Sequence, residues 1–486
     1  MEIKLQESLR EIITEIPEQR RRLPVSLEAV VPDSMEDLSR VALVRPAVWL
    51  KSKEPTARGL LVQGELRAVV LGLGESGKLN AVSLSRPFEI EFEPGESVPE
   101  NRSQVQLTIG SMEARLVNPR KISALFEITA VLYAWKPESM VYDAKAEESR
   151  GLHLRVEDRT TPMAVASGEK SFVLSQQLPL PERPGELLYA QTALTVEDVS
   201  PLGSRAIVKG QCRIELGFET DGNPGFRTLS VPYSQILELP VEDAEQFLIT
   251  PAVCSCYTEL SDTIAGDRVL ETEVHGLLQM TAYSSQRLCL PVDAYSNLAP
   301  LDVQRQEITV GCRTPRESIT AIAEGAPELP EDWASPEALL PGPVQTERNG
   351  EVLRLTAPVD LIYRTKTGEL AVIRRSVTGQ TTLTKGDEVL SISADEPELT
   401  QTALRLPMTV GLFAAAEERL ERVTGLELDS EAPFDQAKLP AAVLAARGDG
   451  DLWTLARRWH STVEAIEEQN REAGPEDLLL IIRERF

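Results

Sequence analysis

The chain has 486 residues, 42% of them hydrophobic and 26% charged, enough apolar material for packed cores in about three to four domains. An excess of 76 acidic over 50 basic residues leaves a formal net charge of −26, which disfavours nucleic-acid backbones and anionic lipid as general partners. No apolar run of about 18 residues occurs, and the N-terminal residues lack a basic region followed by an apolar one, so neither a spanning helix nor a secretory signal is expected. The five cysteines (Cys212, Cys254, Cys256, Cys289 and Cys312) are odd in number and confined to the middle of the chain, unlike a secreted disulfide framework. The expected compartment is the cytoplasm.

From the N-terminus onward the dominant pattern is alternation of apolar and polar residues. It runs through 60–71 and returns in 206–216 and 353–363, with Gly64, Gly210 and Ala357 spaced by 146 and 147 positions. Each stretch leads into a polar turn (72–78, 221–225 and 365–369). A second strand follows, as in 81–93 and 226–239, which is a hairpin signature. The flanks 1–5, 151–155 and 300–303 correspond. Late in each copy come two more alternating strands, 104–117 with 122–135 and 248–258 with 269–283. The third copy, 389–413, is shorter and degenerate. Repeats this long are whole domains in tandem, and period-two alternation with few helical stretches predicts sandwich-like all-β units. The expected boundaries are 1–145, 146–297 and 298–425. The Pro-bearing windows 137–149, 291–300 and 425–440 are expected to be exposed linkers.

The repeats offer little chemistry. Gly72-Leu73-Gly74-Glu75-Ser76-Gly77-Lys78 superficially resembles a phosphate loop. Leu79 stands where a magnesium-binding Ser or Thr is needed, and a strand rather than a helix follows, so a hairpin turn is expected. His153, His275 and His460 lie far from one another and from any cysteine, so no zinc spacing arises. Cys254 and Cys256 sit on one face of a strand and are expected to be buried filler. No nucleophile elbow is present, and no carboxylate pair stands out from the acidic background. No catalytic residue, metal or cofactor is assigned.

The last fifty residues change character. Strand 441–446 ends at a Gly/Asp turn. Asp451 can then cap a helix whose Leu452, Leu455, Ala456 and Trp459 share one face. Ser461 with Glu464 reads as a capping box for a second helix bearing Val463 and Ile466 inward. Asn470 can close that helix, and 478–482 can pair with the first strand. A β-α-α-β unit over 438–486 is expected, with Trp453 in its core and Trp459 either packed in that core at helical spacing or serving as a contact residue.

Two resemblances follow from these residues. Leu452-Trp453, Arg458-Trp459, Ser461-Thr462-Val463-Glu464 and Asn470 resemble the LysM family. The chain departs from that pattern at Asp449-Gly450-Asp451 and at the closing strand. The segment 113–124, with its Asn118-Pro119 turn, is similar to the signature of the SPOCS domain of spore coat and cortex proteins, as are 61–66 and 174–181. Tandem SPOCS domains followed by LysM resemble the architecture of clostridial SipL-type proteins. The fold so implied is mainly β, three tandem sandwich-like repeats and a small β-α-α-β LysM-like domain.

The resemblance implies a non-catalytic role in spore envelope assembly, in the mother-cell cytoplasm at the forespore surface. The implied partner is a coat morphogenetic ATPase of the SpoIVA type. The alternative is binding of peptidoglycan N-acetylglucosamine in a wall or cortex. Candidate partner- or glycan-binding residues are Gly448, Asp449, Gly450, Asp451, Leu452, Trp459 and Asn470.

Overall fold

The computed structural model describes residues 2–3, 5–146, 151–241, 244–435, 437–446, 448, 450–474 and 477–484. The first part of the chain forms β1 (Glu2–Ile3), β2 (Leu5–Val30), β3 (Leu38–Pro55), β4 (Leu60–Gly74), β5 (Leu79–Phe92), β6 (Ser103–Asn118) and β7 (Lys121–Ala146). The middle forms β8 (Leu152–Pro179), β9 (Glu186–Leu202), β10 (Arg205–Thr220), β11 (Asn223–Glu238), β12 (Gln246–Asp262) and β13 (Arg268–Ser296). The third part forms β14 (Leu301–Gly325), β15 (Trp333–Pro341), β16 (Gln345–Asn349), β17 (Val352–Thr365), β18 (Leu370–Thr382), β19 (Asp387–Ala394), β20 (Glu398–Leu399) and β21 (Leu404–Leu428).

All three parts share one topology. The first long strand pairs with the last, and the strand or strands before the last lie on its other side. The sheets are β2-β7-β6, β8-β13-β12, and β14-β21 with β19 and β20. The middle strands form a second sheet in the first two parts, β3-β4-β5 and β9-β10-β11; in the third part β18-β17 with β15 and β16 joins β14 through the single pair Glu324–Thr378, so its strands lie in one nine-stranded sheet with β1. A separate apolar core lies within each part, around Leu66 and Phe126, around Ile214 and Leu278, and around Leu355 and Met408. The alternation that predicts these strands is the alternation of buried and exposed positions along β4 and β10.

The aligned glycines have a physical reason. Gly64 faces Phe88 and Gly210 faces Tyr233 across the ladder, and a Cβ at either position would overlap the partner ring. The third copy pairs Ala357 with Val377, so no ring has to be accommodated and the glycine is dispensable. The Asn118-Pro119 segment is a tight turn in which Asn118 Oδ1 accepts from Arg120 N at 2.9 Å. Arg120 in turn donates to the Met35 and Pro32 carbonyls, fixing the connection between β2 and β3. The glycine-rich 72–78 segment is the β4–β5 hairpin turn, with Gly77 at φ +82° and Lys78 paired to Glu219 at 3.2 Å.

The long outer strands correct two expectations. The windows 137–149, 291–300 and 425–440 are not simply linkers. Residues 137–146 belong to β7, 291–296 to β13 and 425–428 to β21. Beyond the sandwiches these strands continue as ribbons with β2, β8 and β14; β1 adds to β21 opposite Leu426 and Glu427, and the β7 and β13 ribbons bridge at Asp143 and Cys289. Proline is tolerated on such ribbons, where one edge has no neighbour to receive an N–H. Nor is the third copy short throughout, since β21 runs 25 residues and only β19 and β20 are reduced. The expected pair of thiols on one face also differs. Cys254 lies at a register shift between Val253 and Ser255, so it packs toward the first core while Cys256 packs toward the second.

The three parts pack together rather than string out. Leu43, Leu71, Leu188, Tyr189, Leu340 and Ile362 join the three inner sheets. Tyr133, Trp135, Tyr283, Cys312 and Phe413 join all three parts a second time. At that junction Tyr283 donates to Glu15 at 2.9 Å, and Arg313 lies 3.4 Å from the same carboxylate and over the Tyr133 ring. Burial holds the Glu15 carboxyl above its ordinary value, against the pull of Arg313 and the Tyr283 hydroxyl. The ribbons meet at Leu288, Leu290 and Leu420, and again at Ala294, Val423 and Leu426.

Candidate functional site

After β21 the chain forms β22 (Ala442–Ala446), α1 (Leu452–Trp459), α2 (Val463–Gln469) and β23 (Leu478–Ile482). β22 and β23 pair antiparallel with Ala446 opposite Leu478, so Gly448 and 450–451 lie at the same end of the sheet as 471–474 and Asp477. The unit's core is Ala445, Leu455, Ala456, Ile466, Leu479 and Ile481. Asp451 caps α1 as expected, accepting from Thr454 N at 2.8 Å, which holds its carboxyl below the ordinary value. The second cap differs from expectation. Thr462 is the N-cap and accepts from Ala465 N at 3.0 Å. Its neighbour Ser461 is fully buried and donates to Ile482 O at 2.7 Å. Two adjacent hydroxyls offered the cap, and burial took the first.

The candidate residues do not form one site. Gly448 and Gly450 are exposed, Gly450 at φ +147°, and Asp449 lies outside the described residues. Leu452 is half-buried against the core. Trp459 sits a full helix length from Leu452, half-buried, with the Arg458 guanidinium 5.2 Å over its ring. Asn470 is a framework residue. Its side chain bonds Ile466 O, Leu480 O and Leu480 N, each at 2.7 Å, tying α2 to β23.

Trp453 also departs from expectation. It is half-buried at the junction with the second β unit, where its Nε1 donates to Asp293 at 2.8 Å and its ring meets Tyr295 edge-on at 4.7 Å. Around it the second ribbon grips the tail. Tyr295 donates to Ser461 O at 2.9 Å, and Asn297 donates to Ser461 O and Glu484. His153 lies 3.1 Å from Glu484, and Arg155 pairs with Asp451 at 3.3 Å. These ribbon residues carry no motif, and 291–300 read as a linker, so nothing local marked them.

His460 closes α1 in the left-handed region at φ +52°, with Phe434 edge-on to its ring. Desolvation, helped by Arg483, holds its imidazole below the usual value. A lowered histidine is neutral in the fold, so the unfolded chain takes up protons first. Tail stability should be complete above about pH 6.5 and fall as pH drops below it. His460→Asn tolerates the backbone and should flatten that decline, read by amide exchange of the tail across the same range.

Among the described residues no group of three His, Cys, Asp or Glu is placed to hold a metal, and no helix is long and apolar enough to cross a membrane. Burial raises the Cys254 and Cys256 thiols, and none of the five cysteines is joined in a disulfide. Comparison with protein-family models, curated proteins and solved structures returns no match.

Proposed function

We propose that the protein is a non-catalytic assembly protein of a spore envelope. It acts in the mother-cell cytoplasm at the forespore surface, and its C-terminal unit is a LysM-like module that engages a coat morphogenetic ATPase of the SpoIVA type. The resemblances of 113–124 and 452–470 supply the setting. One observation favours a protein partner over a glycan: the end of the tail that holds the candidate residues 448 and 450–452 is already used. Asp451 is paired with Arg155, and Trp453 is bonded to Asp293. A glycan would have to displace both contacts. A packed body of three β units suits a scaffold, because it holds the tail at a fixed place on a large rigid surface.

A fluorescent fusion in sporulating cells tests the role. The full chain should ring the forespore, and removal of 438–486 should leave it diffuse in the mother cell. Labelling of the cell wall, or a ring that persists without the tail, would count against this reading.

A further inference from the structure

The two strands of the tail have unlike edges. Leu480 and Ile482 turn their backbone groups outward from β23. There Leu480 is bonded by Asn470 through both N–H and C=O, Ile482 N donates to Gln469 and Ile482 O accepts from Ser461. In an antiparallel pair this also turns the N–H and C=O of their opposites, Leu444 and Ala442, away from β23. On that side the two residues have no hydrogen-bond partner among the described residues. The β23 edge is closed by side chains, and the β22 edge is open at Ala442 and Leu444.

The outward face is apolar. Ala442 lies opposite Ile482, Leu444 opposite Leu480 and Ala446 opposite Leu478. All six face away from the helices, which cover Ala445, Leu479 and Ile481 on the other side. Leu444 is 62% exposed and Leu478 56%. Open edges are normally blunted by Lys, Pro or a bulge. The sequence Ala442-Val443-Leu444-Ala445-Ala446 has no such residue, and its pairing has no register shift.

We propose that the β22 edge and this face together dock an extended segment of a partner protein, which adds to the sheet as a third strand. The segment carries apolar side chains at alternate positions, since those lie beside Ala442, Leu444 and Ala446 and continue the face. The small Ala442 and Ala446 leave room for larger side chains on either side of Leu444. It carries no acidic excess, because the chain's charge of −26 repels one; the same charge disfavours a second copy of this chain as the occupant. The inference rests on the tail being a protein-binding unit and names its surface as the sheet edge, not the loops.

The test uses the full chain and a fluorescent, lysine-flanked peptide of alternating Val and Thr, with a proline-interrupted version as control. The intact peptide should bind saturably, slow amide exchange at Ala442 and Leu444, and lose about tenfold in affinity to Leu444→Glu. Unchanged protection at Ala445 and Leu479 establishes that the variant is folded. Equal binding by Leu444→Glu, or no slowing at Ala442 and Leu444, overturns the proposal. So does a dimer of the chain, or retention on phosphatidylcholine vesicles, that Leu444→Glu abolishes, since either gives the face another occupant. If the coat ATPase binds wild type and Leu444→Glu alike, the surface is wrong and the proposed function stands. If it binds neither, the function fails and the peptide alone decides the surface.

Discussion

Leu455→Ala should unfold the C-terminal unit and leave the three β units folded. Leu455 is fully buried at the centre of a small core, between Ala456, Ile466 and Leu479. Truncating such a leucine costs about 2–5 kcal/mol through lost burial and the cavity left behind. A unit of this size holds roughly that much stability in total. Amide exchange at Ala445 and Leu479 should approach the solvent rate, while Leu66, Ile214 and Leu355 stay protected. Leu444→Ala, at an exposed position, should change little. Protection retained at Leu479 in Leu455→Ala would mean that docking through Trp453 and Tyr295 supplies most of the tail's stability. Trp453→Phe would then be the damaging change, because it removes the bond to Asp293.

Arg45→Ala should be the most damaging single change in the body. Arg45 is 6% exposed where the three units meet, paired with Glu215 and donating to the Pro341 carbonyl at 2.9 Å. Glu215 also accepts from the Tyr189 hydroxyl at 2.9 Å. Removing the guanidinium leaves the Glu215 carboxylate, 12% exposed, without its counter-charge, a loss of up to about 3–5 kcal/mol. Replacing both partners, as Arg45→Met with Glu215→Gln, should recover most of it, since no buried charge remains. Urea denaturation of the full chain reads both. A loss under about 1 kcal/mol for Arg45→Ala would mean that water reaches Glu215 and the junction is looser than described.

Much of the fold could be read from local pattern. The strand 60–71 is recognisable in β4, 206–216 in β10 and 478–482 in β23, because alternation directly records one buried face. The Asp451 cap was legible for the same reason, being set by residues three apart. Long-range packing was not. Pro137 and Pro291 mark a loop in most contexts, yet here they lie on ribbons whose partners are more than a hundred residues away. Trp453 at helical spacing looks like core, and only the position of Asp293 and Tyr295 turns it into a docking residue. Asn470 was legible as the residue that closes α2, whereas the bonds of its side-chain amide to Leu480 N–H and C=O, which complete the β23 edge, had no local signal.

The proposed function requires the tail to serve a protein partner rather than a glycan. Calorimetric titration of the full chain against a coat morphogenetic ATPase of the SpoIVA type and against N-acetylglucosamine oligomers tests it most directly. Saturable binding of the ATPase that disappears when 438–486 are removed is expected, with no saturable binding of the oligomers. Saturable oligomer binding by the full chain, with none of the ATPase, would contradict it.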